Sequence, residues 1–135
     1  EDGIRDLVRS RGLGDVYKRQ IQDHSNRQIV GGCGLTYINQ RHRFANLYYW
    51  VRTSRTGEGL ASRAVRLAAR YAFVEAGLAR VEIVAAVENP ASQRVAEKAG
   101  ARREGLLRNR IELPDGMHDA VIYSLIPEDF GLRTG

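Results

Sequence analysis

The sequence predicts a single α/β domain in which helices pack against a mixed sheet, and three observations carry that prediction. A strand-like run, Phe44 to Val51, leads into a glycine loop and then a helix with one apolar side. A valine- and alanine-rich strand over Arg80 to Val87 leads into a second helix opened by Asn89-Pro90. Two more strands, Ala101 to Leu113 and His118 to Leu125, are joined by the hairpin signal Pro114-Asp115-Gly116-Met117. Strands on both sides of each helix call for a sheet that mixes parallel and antiparallel neighbours.

The 135 residues are enough for one core and too few for two ordinary domains. A hydrophobic content of 43% with 27% charged residues is globular, and no apolar run approaches the roughly 20 residues of a membrane span. With no signal-peptide pattern, a cytoplasmic setting is expected. The net charge is +5, with 19 arginines against two lysines, Lys18 and Lys98. Arginine suits phosphate groups and ion pairs. The basic positions are scattered and lack interleaved aromatics, which weighs against nucleic acid and fits a small anionic ligand as well. Cys33 lies in an apolar run with no helix start or base beside it and reads as a buried structural thiol.

Met117 is the only methionine, so the natural start is expected to lie elsewhere than at residue 1. Residues 1 to 20 show neither helical periodicity nor alternation, and they resemble a translated library adaptor. They are expected to be a foreign leader without specific packing. From Ile21 the pattern sharpens into a domain over 21 to 128. Ile29 to Ile38 is an apolar run broken by Gly31, Gly32 and Gly34, as in a twisted or bulged strand. Gln40 to His42 makes a polar turn. In Phe44 to Val51 both parities are apolar, as in a strand covered on two faces. The helix from about Gly59 to Ala76 places Leu60, Ala64, Leu67, Ala68, Tyr71 and Val74 on one side and Arg63, Arg66 and Arg70 on the other, and Gly77 stops it. The second helix runs to Ala99 and ends at Gly100. Pro127 to Gly135 reads as a tail, with the domain bounded at 128 and the tail proper at 129 to 135.

Gly57 and Gly59 let the backbone pass close to a ligand, and the following helix start offers free N–H groups to an anion. A dinucleotide fingerprint counted from Gly57 would need Gly or Ala where Ser62 stands, and a triphosphate loop would need a lysine that is missing. The segment Thr56-Gly57-Glu58-Gly59-Leu60-Ala61 instead resembles the Gln/Arg-x-x-Gly-x-Gly/Ala pattern of the GCN5-related N-acetyltransferases (GNAT), with Thr56 in the place of Gln or Arg. Tyr49-Trp50-Val51, Asn89-Pro90-Ala91-Ser92, Glu97-Lys98-Ala99-Gly100-Ala101 and Glu104-Gly105 resemble the ribosomal-protein-alanine N-acetyltransferase subgroup in order and spacing. The likeness covers about Ile29 to Pro127.

The resemblance implies a mostly antiparallel sheet with splayed central strands, and a first strand and helices that this chain is expected to lack. It implies acetyl-CoA as cosubstrate, with the pyrophosphate on backbone amides of Thr56, Gly57, Glu58, Gly59, Leu60 and Ala61. The pantetheine arm would lie along Trp50, Val51 and Arg52, in the gap before the Arg80 to Val87 strand. A backbone N–H near Val51 would polarise the thioester carbonyl. Asn89 has a sufficient role as helix cap, with a cofactor contact additional. Ser92 corresponds to a serine proposed to hydrogen-bond the CoA sulfur; an ordinary first-turn serine is the competing reading. The acceptor implied is a primary amine, foremost a protein or peptide N-terminus. A small-molecule amine, or a silent acetyl-CoA-binding module, is the alternative.

The general base stays open. An α-amine of pKa about 8 needs only about 1.4 kcal/mol to lose its proton at pH 7, against nearly 5 for lysine, so a weak base or water chain suffices for an N-terminus. The carboxylate some subgroup members use aligns with Ile111, next to Glu112; Glu104 is a further option or a salt-bridge residue. Tyr48, Tyr49 and Trp50 read as core packing. Arg55, Arg63 and Arg94 are candidates for CoA phosphates, the last two more readily solvated. His24, His42 and His118 suggest no metal site. Weak or absent turnover is expected of the 135-residue chain alone.

Overall fold

The computed structural model describes residues 4–9, 17–23, 25–52, 55 and 59–135. Among the described residues seven strands form one sheet: β1 (Ile4–Arg9), β2 (Tyr17–Gln22), β3 (Ile29–Asn39), β4 (Phe44–Val51), β5 (Arg80–Ala86), β6 (Arg102–Leu113) and β7 (Gly116–Leu125). Helix α1 (Leu60–Val74) joins β4 to β5, and α2 (Pro90–Lys98) joins β5 to β6. The strand order is β1-β2-β3-β4-β5-β7-β6. Every neighbouring pair is antiparallel except β4 and β5, which the α1 crossover makes parallel.

Both helices occupy one face of the sheet. Successive strand side chains alternate, so Ala45, Leu47 and Tyr49 point the same way, as do Val81, Ile83 and Ala85. Ala45, Leu47, Val81 and Ile83 are fully buried in one core with Ala64, Val65, Ala68, Ala69 and Ala72 of α1 and Ala96 and Ala99 of α2. The buried stripe of α1 is thus set by Val65, Ala68, Ala69, Ala72 and Phe73 at helical spacing, whereas Val74, expected on the apolar side, is 53% exposed. Alanines win because their small side chains let the helix axis approach the strands. The reading of β4 as covered on two faces also changes: Trp50, on the opposite parity, is 51% exposed, and among the described residues no helix covers it.

The chain ends differ from expectation. Tyr17–Gln20 pair with β3 and Ile4–Arg9 pair with β2, so these residues enter the sheet where no packing was expected. Backbone pairing to an existing strand edge needs no side-chain alternation, which is why no pattern announces it. Residues 1–3 and 10–16 of the expected leader lie outside the described residues. The expected tail forms a 3₁₀ turn, Pro127–Phe130, tied by the Asp129 carboxylate accepting from the Ile126 N–H at 2.9 Å. Phe130 packs edge-on against Phe73 with ring centroids 5.7 Å apart, and the Arg66 guanidinium lies 4.3 Å from the Phe130 centroid. Arg66 also donates to the Ala99 carbonyl at 2.7 Å, so it joins α1 to the end of α2 rather than only facing water.

The glycines of β3 have a specific cause. Gly32 sits opposite Trp50, and a Cβ there would lie 2.7 Å from the indole Nε1. At Gly31 a Cβ would lie 2.5 Å from the Trp50 carbonyl oxygen. The first obstacle is an exposed side chain that can swing away; the second is backbone. Gly31→Ala is therefore expected to cost about 1–3 kcal/mol as an overpacking change and Gly32→Ala less. Adding Trp50→Ala should rescue Gly32→Ala but not Gly31→Ala. Urea denaturation of the four variants checks this, and equal rescue of both would contradict it.

Candidate active site

The site is built on the divergence of β4 and β5. Their ladder comprises Phe44↔Arg80, Ala45↔Val81 and Asn46↔Glu82, after which β4 continues to Val51 without a β5 partner. On its other edge β4 stays paired with β3, where the Arg52 N–H donates to the Val30 carbonyl at 2.7 Å. Backbone groups alternate in direction along an antiparallel strand. Those of Val51, Tyr49 and Leu47 therefore turn away from β3; the last β5 pairing, Asn46↔Glu82, engages the Leu47 N–H, and beyond it the groups of Tyr49 and Val51 face the gap that β5 has left. A row of unspent donors and acceptors at the mouth of a parting sheet can pair with an extended, amide-bearing chain.

The second helix closes the gap. Asn89 caps α2, its side-chain oxygen accepting from the Ser92 N–H at 3.1 Å, and Pro90 takes the first helical position. The half-buried Ser92 then faces β4: the Tyr49 hydroxyl donates to the Ser92 carbonyl at 2.7 Å and lies 3.0 Å from Ser92 Oγ. Burial raises the Tyr49 phenol above its ordinary value, with the Ser92 hydrogen bond opposing, so the group stays neutral. A half-buried tyrosine on a core-facing parity needs a partner for its hydroxyl. That was the available signal for this contact, and the core-packing reading passed over it.

The expected cradle is described in part. Thr56, Gly57 and Glu58 lie outside the described residues, as does His24. Gly59 is the N-cap of α1 in the left-handed region (φ 77°), with no side-chain cap and no acidic residue in the first turn. The amides at Leu60 and Ala61 thus open the helix without a competing carboxylate. The Ser62 hydroxyl donates back to the Gly59 carbonyl at 3.1 Å. Arg55, one candidate for a phosphate, forms an ion pair with Asp23 at 2.8 Å. Hydrogen bonds from Ser25 and then Arg55 hold the Asp23 carboxyl down at about 2. Arg63 and Arg94 are exposed.

Glu104 is a structural anion rather than a base. Arg80 grips it with two hydrogen bonds of 2.7 and 3.0 Å and Ser124 donates a third at 2.7 Å, lowering its carboxyl to about 2. Ile111 pairs directly with His118, and Glu112 with Met117. His118 lies between Asp115, 2.5 Å from Nε2, and Glu88, 2.9 Å from Nδ1; these carboxylates, Asp115 foremost, raise its pKa. Cys33 is buried, its thiol pushed up to about 11 by desolvation, in keeping with a structural role. Among the described residues no group of His, Cys, Asp and Glu side chains is placed to hold a metal, and no helix is long and apolar enough to cross a membrane.

The family model for the acetyltransferase (GNAT) domain matches residues 4–102. The chain belongs to the GNAT family. A solved structure described as a probable acetyltransferase superposes on the GNAT chain with a TM-score of 0.77 at 32% identity, covering 84% of this chain and 62% of the other. The putative ribosomal N-acetyltransferase YdaF of Bacillus subtilis is 35% identical over 102 residues, 76% of this chain and 56% of its own length. The spermidine N(1)-acetyltransferase of Escherichia coli K12 is 29% identical over 117 residues, 81% of this chain and 63% of its own. The GNAT chain thus spans about three fifths of these relatives.

The Glu104 ion pair makes a pH prediction. Its folded carboxyl, at about 2, lies below the ordinary 4.5, so its stabilisation is present above pH 4.5 and is lost as pH falls through about 2. Glu104→Gln should lower the urea midpoint at pH 7 and narrow its gap to the parent as pH falls through that window. A gap unchanged from pH 7 to 2 would contradict it.

Proposed function

We propose that this domain transfers the acetyl group of acetyl-CoA to a primary amine, foremost a protein or peptide N-terminal α-amine, in a cytoplasmic setting. The observation that carries the reading is the free β5-side edge of β4 past Leu47, at Tyr49 and Val51, opening beside the Asn89-capped start of α2. A pantetheine arm bears amides that match such an edge, and the Gly59-headed helix start suits the pyrophosphate. In this reading Trp50, Val51 and Arg52 line the arm, while Thr56, Gly57, Glu58, Gly59, Leu60 and Ala61 hold the phosphates, with Asn89 and Ser92 at the sulfur end.

The reaction is direct attack. The neutral amine adds to the thioester carbonyl, whose oxygen gains negative charge; a fixed N–H at Val51 stabilises that charge without reorganisation. The C–S bond then breaks, and the proton lost by the amine nitrogen ends on the departing sulfur, helped by the Ser92 hydroxyl. The products are an amide and a thiol. His118 and Glu104 need not act as bases if the acceptor is an α-amine.

A second enzyme reading, transfer to a polyamine or another small amine, is supported by the likeness to a spermidine acetyltransferase. The two share the donor site and differ in the acceptor.

Saturable, acetyl-CoA-dependent acetylation of a peptide library and a polyamine panel, assayed in the complete natural protein, tests the reading. Preferred peptides support the N-terminal acceptor; preferred polyamines support the second reading. Acetyl-CoA binding with no transfer to either would leave a binding module. Ser92→Ala should lower kcat about 10-fold or more while changing acetyl-CoA affinity less; unchanged turnover with chemistry rate-limiting would overturn its role.

A further inference from the structure

We infer that Tyr49 is the positioning residue for Ser92, holding the serine hydroxyl ready for a sulfur in the β4–β5 gap; this rests on the acetyl-transfer reading above. A tyrosine hydroxyl has one proton and two lone pairs. The 2.7 Å contact to the Ser92 carbonyl uses that proton, since a carbonyl only accepts. At the 3.0 Å contact between the two hydroxyls the donor is therefore Ser92. Its O–H points at Tyr49 Oη, and its own lone pairs stay open.

Geometry makes this arrangement directional. Tyr49 stands on β4 within the stretch that has no β5 partner, and Ser92 stands in the first turn of α2, fixed through its N–H by Asn89. The two hydroxyls span the gap between those elements. A sulfur entering the gap offers a second acceptor for the Ser92 proton. The Ser92 O–H can turn from Tyr49 to the sulfur while Tyr49 keeps its own bond to the Ser92 carbonyl. Tyr49 thereby restrains the backbone and leaves the proton mobile. Because burial keeps its phenol protonated, the carbonyl contact persists through neutral pH.

During acetyl transfer the proton released by the amine nitrogen replaces the one Ser92 passes to the thiolate, so the serine ends neutral. Tyr49 gains and loses nothing. It acts through Ser92 and touches no reacting atom in this scheme.

The test separates this role from the reading it rests on by using binding. Calorimetry compares CoA with desulfo-CoA, which lacks the thiol, on the 135-residue chain and on its Tyr49→Phe and Ser92→Ala variants. The parent should bind CoA severalfold more tightly than desulfo-CoA. Both variants should lose most of that preference while retaining desulfo-CoA affinity within about twofold and a cooperative melt. Tyr49→Phe/Ser92→Ala should be no worse than Ser92→Ala alone, because two residues acting as one unit are non-additive. A parent without sulfur preference, a Tyr49→Phe variant that keeps it, or additive losses would each overturn the inference. Turnover is scored separately in the complete protein. Absent acetylation with an intact sulfur preference would reject the transfer reading and leave the Tyr49–Ser92 pairing standing.

Discussion

The parting of β4 from β5 after three residue pairs is the constraint on which the rest depends. Parallel strands need a crossover, and α1 supplies it. Its alanine stripe seats the helix close to β3 and β4, while β5 is drawn toward β7, with which it pairs over Val81 to Ala86. The sheet therefore holds together on both outer sides and opens in the middle. Backbone groups that any other central strand would spend on a neighbour remain available along β4, and α2 delivers a capped first turn to the same opening.

Glycine and aromatic placement keep that opening in register. Gly31 lets β3 approach the Trp50 carbonyl so closely that a Cβ would meet backbone, and Gly32 leaves room for the Trp50 indole. Tyr49, one residue earlier and on the other face, ties β4 to α2 through Ser92. The two contacts bracket the end of the strand from opposite faces. Electrostatics serve mainly to lock the far side of the sheet, where Arg80 joins Glu82 and Glu104 across strands. That work takes Glu104 out of contention as a proton acceptor.

The elements were legible where residue chemistry marks them. Phe44 to Val51 matched the strand exactly, Asn89-Pro90 announced the α2 cap, and Pro114 to Met117 marked the turn between β6 and β7. The core side of α1 was legible at Ala64 and Ala68, with Leu60, Leu67 and Tyr71 packed beside them, and only Val74 departs from it; Val65, Ala69, Ala72 and Phe73 widen the buried stripe. β1 and β2 escaped notice because edge pairing is a backbone event. The 3₁₀ turn after Ile126 read as tail because its anchors, Phe130 to Phe73 and Arg66, are distant in sequence. Asn89 was legible as the cap of α2, which fixes Ser92 in the first turn. The Tyr49 contact depends on how far β4 and β5 diverge, which no local pattern encodes. Likewise Arg55 looked like a phosphate ligand until the fold brought Asp23 beside it.

Amide hydrogen exchange with and without acetyl-CoA tests the central claim most directly, because the gap is defined by backbone groups. The account predicts that saturating acetyl-CoA slows exchange at Tyr49 and Val51 and at Leu60 and Ala61, while Leu47, already paired to β5, and Trp50 and Arg52, turned toward β3, change little. Protection confined to other surfaces, or spread evenly over odd and even positions of β4, would contradict it.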